Sequence, residues 1–435
     1  MGKMPDMINL AESIRERLPV DIIAFIRRAG EAAGHRQQRL YLVGGVVRDL
    51  LLERRNLDLD LVVEGDAVKL ARELAAGLPA KLTVHARFGT ARLSWGHLNA
   101  DFATARAETY ARPGALPTVT PGKIVDDLAR RDFTINAMAV GLSPGHFGEL
   151  IDPYGGRLDI DKKLVRVLHD KSFVDDATRI WRAVRYEQRL DFQIERGTLA
   201  LLKQGLTWLE AISGDRIRHE LECVLKEELP EKTLRRAGDL GVLGKLNPSL
   251  RGDDWLKETF VQARERYLPD ALPPPELYLA LLCYRLAEDE IEKIIACLHL
   301  PKTGSEALRE TLALKENIQE LSIHGLPPGR VYDLLHGYGV TALAANSLAA
   351  GSATAADHIE LYLNVLRHVH PALSGDDLIK MGVPVGPRIK ELLQLLREAR
   401  LNGRVTTKTE EEEMVRRWLV KQQISSNKEV RKGRS

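Results

Sequence analysis

The chain reads as an α+β protein in which strands and helices mix through the first third and helices fill the rest. Three observations predict this. Residues 41–65, YLVGGVVRDLLLERRNLDLDLVVEG, run from a strand through Gly44-Gly45 into a helical pattern and on to a second, alternating strand. Residues 80–94 and 99–105 give two further strands joined around Trp95-Gly96-His97. From about residue 175 onward, apolar positions recur at helical spacing and Pro and Gly fall at breaks.

A chain of 435 residues should hold roughly two to four compact units. Hydrophobic content of 44% and charged content of 29% are ordinary for a globular protein, so a sizeable core is possible. The formal charge of +2 offers little overall field, and a nucleic-acid partner would have to be met by local basic surfaces. Cys223, Cys283 and Cys297 lack metal-ligand spacing and read as buried thiols in a reducing compartment. The N-terminus has an early acid and no apolar h-region, and no run approaches the ~18 apolar residues of a membrane span. A cytoplasmic protein without membrane attachment is expected.

Residues 7–33 predict an amphipathic helix with apolar positions such as Ile8, Leu10, Ile14, Leu18, Ile22 and Ile26. The strand at Tyr41-Leu42-Val43 then breaks at Gly44-Gly45, where a backbone without Cβ atoms can approach a phosphate and the N–H groups of the next helix point at it. In the second strand Leu57, Leu59, Leu61 and Val63 alternate with Asp58, Asp60 and Val62. A period of two therefore places both carboxylates on one face, roughly 6.5–7 Å apart. Such a pair repels itself unless a cation intervenes, and Mg2+ favours one or two protein carboxylates plus substrate phosphates. An isolated Asp-x-Asp is more simply the solvated face of an edge strand. Leu-Val-Val after Asp60, with no further oxygen ligands, argues against a calcium loop, and Gly44-Gly45 fits neither a dinucleotide fingerprint nor a P-loop. Strand, Gly-Gly, Arg48-Asp49 and Asp-x-Asp in succession make a less accidental combination.

Residues 66–78 look like a helix packed on the sheet. Asp101, alone among apolar and small residues on the strand after the hairpin, reads either as a third catalytic carboxylate that helps deprotonate an attacking hydroxyl or as a hydrogen-bonded structural Asp. Residues 104–125 have the composition of a long loop, in which Arg106 and Arg112 either reach phosphate or stay solvated. In residues 126–139 the second half is helix-compatible, with Arg130 and Arg131 near its beginning. These suit bidentate contact with a triphosphate, or ion pairs with Asp126 and Asp127. Residues 152–156, DPYGG, predict a turn closing the unit. A helix over about 175–190 carries Asp176, Arg179, Arg182 and Arg185 at every third position, forming either an i,i+3 salt-bridge stripe or an edge complementary to a base. In the second reading the Asp accepts from an exocyclic amine and the Arg donates to the adjacent ring acceptor. That suits cytosine and adenine and mismatches uracil and guanine at about 1–3 kcal/mol each.

Gly44-Gly45-x-Val47-Arg48-Asp49, Asp58-x-Asp60, residues 130–137 (RRDFTINA) and Asp175-Asp176-x-x-Arg179 resemble, in order and spacing, the motifs of the class II tRNA nucleotidyltransferases, the CCA-adding enzymes and the bacterial poly(A) polymerases. The resemblance covers about 41–225, including GDRIRHELECVL at 214–225. It implies a polymerase-β-like head followed by an all-α neck, body and tail. By the same resemblance Asp58 and Asp60 hold Mg2+, Gly45 and Arg48 contact the triphosphate, and Arg131, Asp176, Arg179, Arg182 and Arg185 bind the incoming nucleotide. The chain departs from the family at Asp175, where Glu is usual. The implied activity is addition of CMP and AMP from CTP and ATP to the tRNA 3′ end. A-adding, CC-adding and poly(A)-polymerase activities are the rivals, and a non-catalytic RNA-binding protein is the rival of another class. CC-adding members lack part of the loop that is long here at 104–125, and poly(A) polymerase would call for a more basic surface than +2.

The expected division is an N-terminal helix (1–35), catalytic head (36–165), neck (166–230), body (231–370) and tRNA-binding tail (371–435). Residues 268–276, LPDALPPPE, suggest a rigid boundary or interhelical joint. The turn at 382–387, opening a helix with Arg388 and Lys390, either grips a phosphate or is a plain helical hairpin. Lys428, Arg431, Lys432 and Arg434 suggest a disordered basic end that helps hold RNA.

Overall fold

The computed structural model describes residues 8–86, 89–96, 98–109 and 118–432, with side chains placed through Lys421. The chain divides into two compact units, Met1–Pro248 and Ser249–Ser435, a coarser division than the five segments expected.

The first unit opens with two helices where one was expected, α1 (Ala11–Arg17) and α2 (Val20–His35). Pro19 lies between them, and the residue before a proline is pushed out of the helical region, as Leu18 is (ψ 145°). β1 (Arg39–Val43), α3 (Gly45–Leu51) and β2 (Asp58–Glu64) follow as the sequence indicated. α4 (Ala67–Ala76) is capped by Asp66, whose carboxylate accepts the Lys69 N–H at 3.0 Å. The expected single strand over 80–94 is two, β3 (Lys81–His85) and β4 (Thr90–Trp95), because Gly89 at φ +60° turns the chain between them. β5 (Leu98–Thr104) completes the expected hairpin, with His97 outside the described residues.

Two further corrections concern 104–139. The expected loop contains an antiparallel ribbon, β6 (Arg106–Thr109) with β7 (Thr118–Pro121), while Arg112 lies outside the described residues. The helix expected in the second half of 126–139 lies instead in the first, as α5 (Ile124–Ala129). Thr134–Asn136 make only a single 3-10 turn before β8 (Ala139–Gly141) and β9 (Leu150–Ile151).

The seven-stranded sheet has the order β3-β4-β5-β2-β1-β8-β9. β2 runs parallel to β5 and antiparallel to β1, and Asp60 is in direct register with Asp101. Alternation assigns the two faces. Phe102 packs toward α2, its ring 6.3 Å from Phe25, while α4 lies over β4 and β5. On the opposite face Tyr41, Val43 and Val62 pack under Ile124 and Leu128 of α5. Asp60 and Asp58 continue the row begun by Val62, so they emerge from beneath α5 where its C-terminal end delivers Arg130 and Arg131. Gly30 lets α2 approach the sheet, since a Cβ there would collide with the Leu142 carbonyl oxygen.

After α6 (Gly156–Asp161), β10 (Leu164–Val165) pairs in parallel with β11 (Gln193–Ile194). Between these strands lie α7 (Ser172–Asp175) and α8 (Thr178–Leu190). The helix expected from 175 is thus interrupted at Asp176, which is extended (φ −144°, ψ 98°). α9 (Arg196–Gly205), α10 (Gly214–Leu225) and α11 (Pro230–Asp239) complete the unit, and α10 and α11 pack on α8.

The second unit is helical among the described residues. Residues 268–274 join helices Asp254–Tyr267 and Pro275–Cys283, so this proline-rich stretch is an interhelical joint inside the unit, not its boundary. One core cluster gathers Leu314, Val331, Leu335, Ile359 and Leu401, and another Leu373, Leu378, Leu392, Leu396 and Val415. Beside the second, the fully buried Glu411 accepts the N–H groups of Ala372 and Leu373 at 3.0 and 2.9 Å and pairs with Arg400. The last helix, Lys408–Lys432, carries Lys428, Arg431 and Lys432 where a disordered end was expected. Glu412–Arg416 and Glu413–Arg417 pairs one turn apart support it. Arg434 lies outside the described residues. Of the three free cysteines only Cys283 is buried, which pushes its thiol up to about 12. Cys223 is half-buried and Cys297 exposed, contrary to the expectation of three buried thiols. No described helix is long and apolar enough to cross a membrane.

Candidate active site

A cleft of about 1230 Å³ in the first unit brings together nearly all the site residues named from the sequence. Its acidic wall is the exposed row of β2. Asp58 and Asp60 share one face, and Asp101 stands beside Asp60 on β5. Arg92 of β4 holds Asp101 with both arms of its guanidinium, Nε to Oδ1 at 2.7 Å and Nη2 to Oδ2 at 2.6 Å. Asp60 reaches solvent through the cleft, yet the surrounding walls crowd it. This loss of hydration, opposed by Arg131 and reinforced by Asp101 and Asp58, raises its carboxyl to about 6.

A carboxylate that ionises reluctantly in the bare protein gains from a nearby cation. Gly44, at φ +73°, leaves a hollow beside it, where a Cβ would lie 2.8 Å from Arg131 Nη1 and 3.7 Å from Asp60 Oδ2. Among the described residues no group of three or more His, Cys, Asp or Glu side chains is placed to hold a metal ion. Two carboxylates facing an open cleft fit an ion that also takes substrate phosphates, as Mg2+ does, better than a structural ion.

A second side of the cleft is built on the turn between β1 and β2. α3 has seven residues, under two turns, so its dipole is short, and the Gly-Gly backbone and Arg48 are its main resources. Arg48 is buried and already oriented: Nε and Nη2 donate to Asp49 at 2.9 Å each, and Nη1 donates to Asn136 Oδ1 at 2.7 Å. Asn136 in turn donates to Asp132 Oδ1 at 3.1 Å, and Asp132 Oδ2 accepts from Arg182 at 2.9 and 2.6 Å. Burial would raise Asp132, but Arg182 and the Asn136 hydrogen bond outweigh it and hold the carboxyl below its usual range. Arg130 and Arg131 both donate to Asp127, at 2.6 and 3.0 Å, from the C-terminal end of α5 rather than from the start of a helix. Asp126 instead accepts the Lys123 N–H at 2.8 Å.

The side of the cleft facing α8 begins at Asp176. Its Oδ1 accepts the Thr178 N–H and hydroxyl at 3.0 and 2.6 Å, and its Oδ2 pairs with Arg216 of α10 at 2.8 Å. Arg179 is anchored by Ser172 Oγ at 2.7 Å and by the Arg130 carbonyl at 2.8 Å. Arg182 lines the cleft. Arg185 is absent from its lining and is bound behind it, 3.2 Å from Glu227 and 3.9 Å from Glu220. The Tyr186 ring lies among three guanidiniums, with the carbons of Arg48, Arg182 and Arg185 at 5.3, 5.6 and 5.0 Å from its centre. Arg92, Asn136, Tyr186, Arg216 and Glu220 line the cleft although sequence reasoning gave them no part. All but Arg92 lay within stretches already singled out, Asn136 in 130–137, Tyr186 in 175–190, and Arg216 and Glu220 in 214–225, which was the available signal.

A mixed sheet with paired carboxylates beside a Gly-Gly turn defines a nucleotidyltransferase head. Residues 40–166 match the family described as "Poly A polymerase head domain", and 191–252 match "Probable RNA and SrmB- binding site of polymerase A". An A-adding tRNA nucleotidyltransferase of Halalkalibacterium halodurans is 33% identical over 94% of this chain and 96% of its own length. Another, from Geobacter sulfurreducens, is 34% identical over 92% of this chain, which spans about half (47%) of that protein. A Thermotoga maritima CCA-adding enzyme complexed with tRNA superposes with a TM-score of 0.73 at 33% identity, covering 96% of this chain and 100% of that one. The chain belongs to the tRNA nucleotidyltransferase family. Other relatives bear the names CCA-adding enzyme and CC-adding tRNA nucleotidyltransferase.

Proposed function

We propose that this protein adds CMP and AMP, without a nucleic-acid template, from CTP and ATP to the 3′ end of tRNA. The observation that carries the reading is the juxtaposition in one cleft of Asp58 and Asp60 with Arg48, Arg131, Asp176 and Arg179. Mg2+ held by Asp58 and Asp60 would neutralise phosphate charge and favour ionisation of the attacking hydroxyl. The Gly44-Gly45 backbone, Arg48 and Arg131 bind the triphosphate and leave its α-phosphorus open to in-line attack by the terminal 3′-hydroxyl, with pyrophosphate leaving beside Arg48. Asp101 lies next to Asp60 and serves as the third carboxylate. Asp176 accepts from the exocyclic amine and Arg179 donates to the neighbouring ring acceptor, so the protein edge does the pairing. Arg182 and Arg185 support that edge through Asp132, Glu220 and Glu227.

We assign tRNA contact to the second unit. Arg388 and Lys390 lie at the N-terminal end of the helix Pro387–Leu401, and a groove of about 790 Å³ combines Lys390 and Arg397 with the stacked Tyr332 and His336. The free thiols fit a cytoplasmic setting.

A-addition alone is the second reading, favoured by the A-adding names of the two relatives above. Purified protein, Mg2+ and tRNA transcripts ending before the C's, after CC and after CCA separate these readings. Growth of the first to CCA followed by arrest supports full CCA addition. Growth only of the CC-ending transcript with ATP makes the protein A-adding, and unlimited adenosine addition makes it a poly(A) polymerase.

A further inference from the structure

Asp176 is the one member of the base-reading pair that does not stand on α8. It occupies the extended residue before the helix, and its carboxylate torsion is of the broad, two-fold kind that a single contact leaves free. Thr178, two residues on, fixes Oδ1. The second oxygen is fixed from far along the chain. Arg216 in the first turn of α10 forms an ion pair with Oδ2 through Nη2 at 2.8 Å, and Arg216 itself lines the cleft. α10 packs directly on α8, so the guanidinium arrives on a rigid element.

Resting on the reading of Asp176 and Arg179 as the base edge, we infer that Arg216 is a specificity-positioning residue that clamps the Asp176 carboxylate in the orientation read by the base. An oxygen bonded once keeps a second lone pair, so the clamped Oδ2 still accepts from an exocyclic amine, in a direction set by Arg216. Released, the carboxylate turns and accepts whatever N–H a base offers, including uracil N3–H and guanine N1–H. Selectivity then falls although every group that touches the base is still present. Arg216 is thus distinct from Arg179: it acts through another side chain.

The test measures KM and kcat of the full-length protein for ATP, CTP, UTP and GTP, with Arg216→Ala, Arg216→Lys, Asp176→Ala and the Asp176→Ala/Arg216→Ala double variant. Both side chains of the pair are part-exposed (31% and 19%), which favours retention of the fold, and melting curves check it. Arg216→Ala should lose about tenfold in discrimination against UTP and GTP, chiefly in KM. Arg216→Lys, a point charge without the planar fork, should recover part of the loss. The double variant should discriminate no worse than Asp176→Ala alone. Wild-type selectivity in Arg216→Ala beside lost selectivity in Asp176→Ala overturns the clamp but leaves the base-edge reading intact. Additive losses in the double variant also overturn the clamp. Wild-type selectivity in Asp176→Ala overturns the base-edge reading itself.

Discussion

The two walls of the cleft handle charge in opposite ways. On the basic wall Arg48, Arg130, Arg179, Arg182 and Arg216 are each already held by a protein carboxylate, amide or carbonyl, so the guanidiniums are oriented before any substrate arrives. On the acidic wall no salt bridge reaches Asp58 or Asp60 among the described residues, and crowding by the cleft walls raises the Asp60 carboxyl to about 6. One wall is tied up by contacts within the fold, and the β2 carboxylates of the other face the open cleft. The difference teaches where substitutions should damage structure and where they should damage only chemistry.

The largest effect should come from the acidic wall. Asp60→Ala should lower incorporation by about 10³-fold or more while leaving tRNA binding and the melting temperature nearly unchanged, and retained incorporation would remove the metal assignment. On the basic wall Asp132→Asn strikes structure instead, because it removes the buried carboxylate that holds the half-buried Arg182. A loss of about 1–3 kcal/mol in denaturant titration is expected, less than for a fully buried pair because the guanidinium is 32% exposed and Glu220 lies 3.6 Å from it. Its sign with pH follows from the lowered Asp132 carboxyl. The contribution is complete above the ordinary carboxylate range and is lost as pH falls through the lower folded value. Wild type should therefore lose stability steeply below about pH 4, and Asp132→Asn should show a shallower fall. Arg179→Ala should cost about tenfold or more in selectivity against UTP and GTP, measured by competition between triphosphates, and unchanged selectivity refutes the base edge. The smallest effect is at Arg92→Ala. Its pair with Asp101 is half-exposed, so stability should move by less than about 1 kcal/mol and incorporation should fall far less than in Asp60→Ala. An equal fall would make Asp101, as held by Arg92, as important to incorporation as the β2 carboxylates.

What the sequence disclosed depended on the range of the interaction. The β2 carboxylates were legible because a period of two is local, and the Gly-Gly turn because Gly44 needs its positive φ. Asp101 was visible as an odd acid in an apolar strand, but its hold by Arg92 depends on strand register, which no local pattern prints. The helix of 126–139 was misplaced because the apolar run Phe133-Thr134-Ile135 looks helical, whereas it is buried from several sides in a 3-10 turn. The break at Asp176 was hidden because Asp176 and Arg179 fit the helical period, while the Thr178 N–H bonds the Asp176 side chain. Arg216 was unreadable as a partner because 40 residues separate it from Asp176.

Tyr186 is one side chain shared by both ends of the cleft, facing Arg48 from α3 beside the Gly-Gly turn and Arg182 and Arg185 from α8. The cleft therefore cannot be cut into interchangeable modules at the seam between β1–β2 and α8. A chimera that takes its glycine turn from one relative and its α8 from another inherits this ring from one parent and its surrounding arginines from two. Such grafts should be cut so that residues 44–48 and 182–186 travel together.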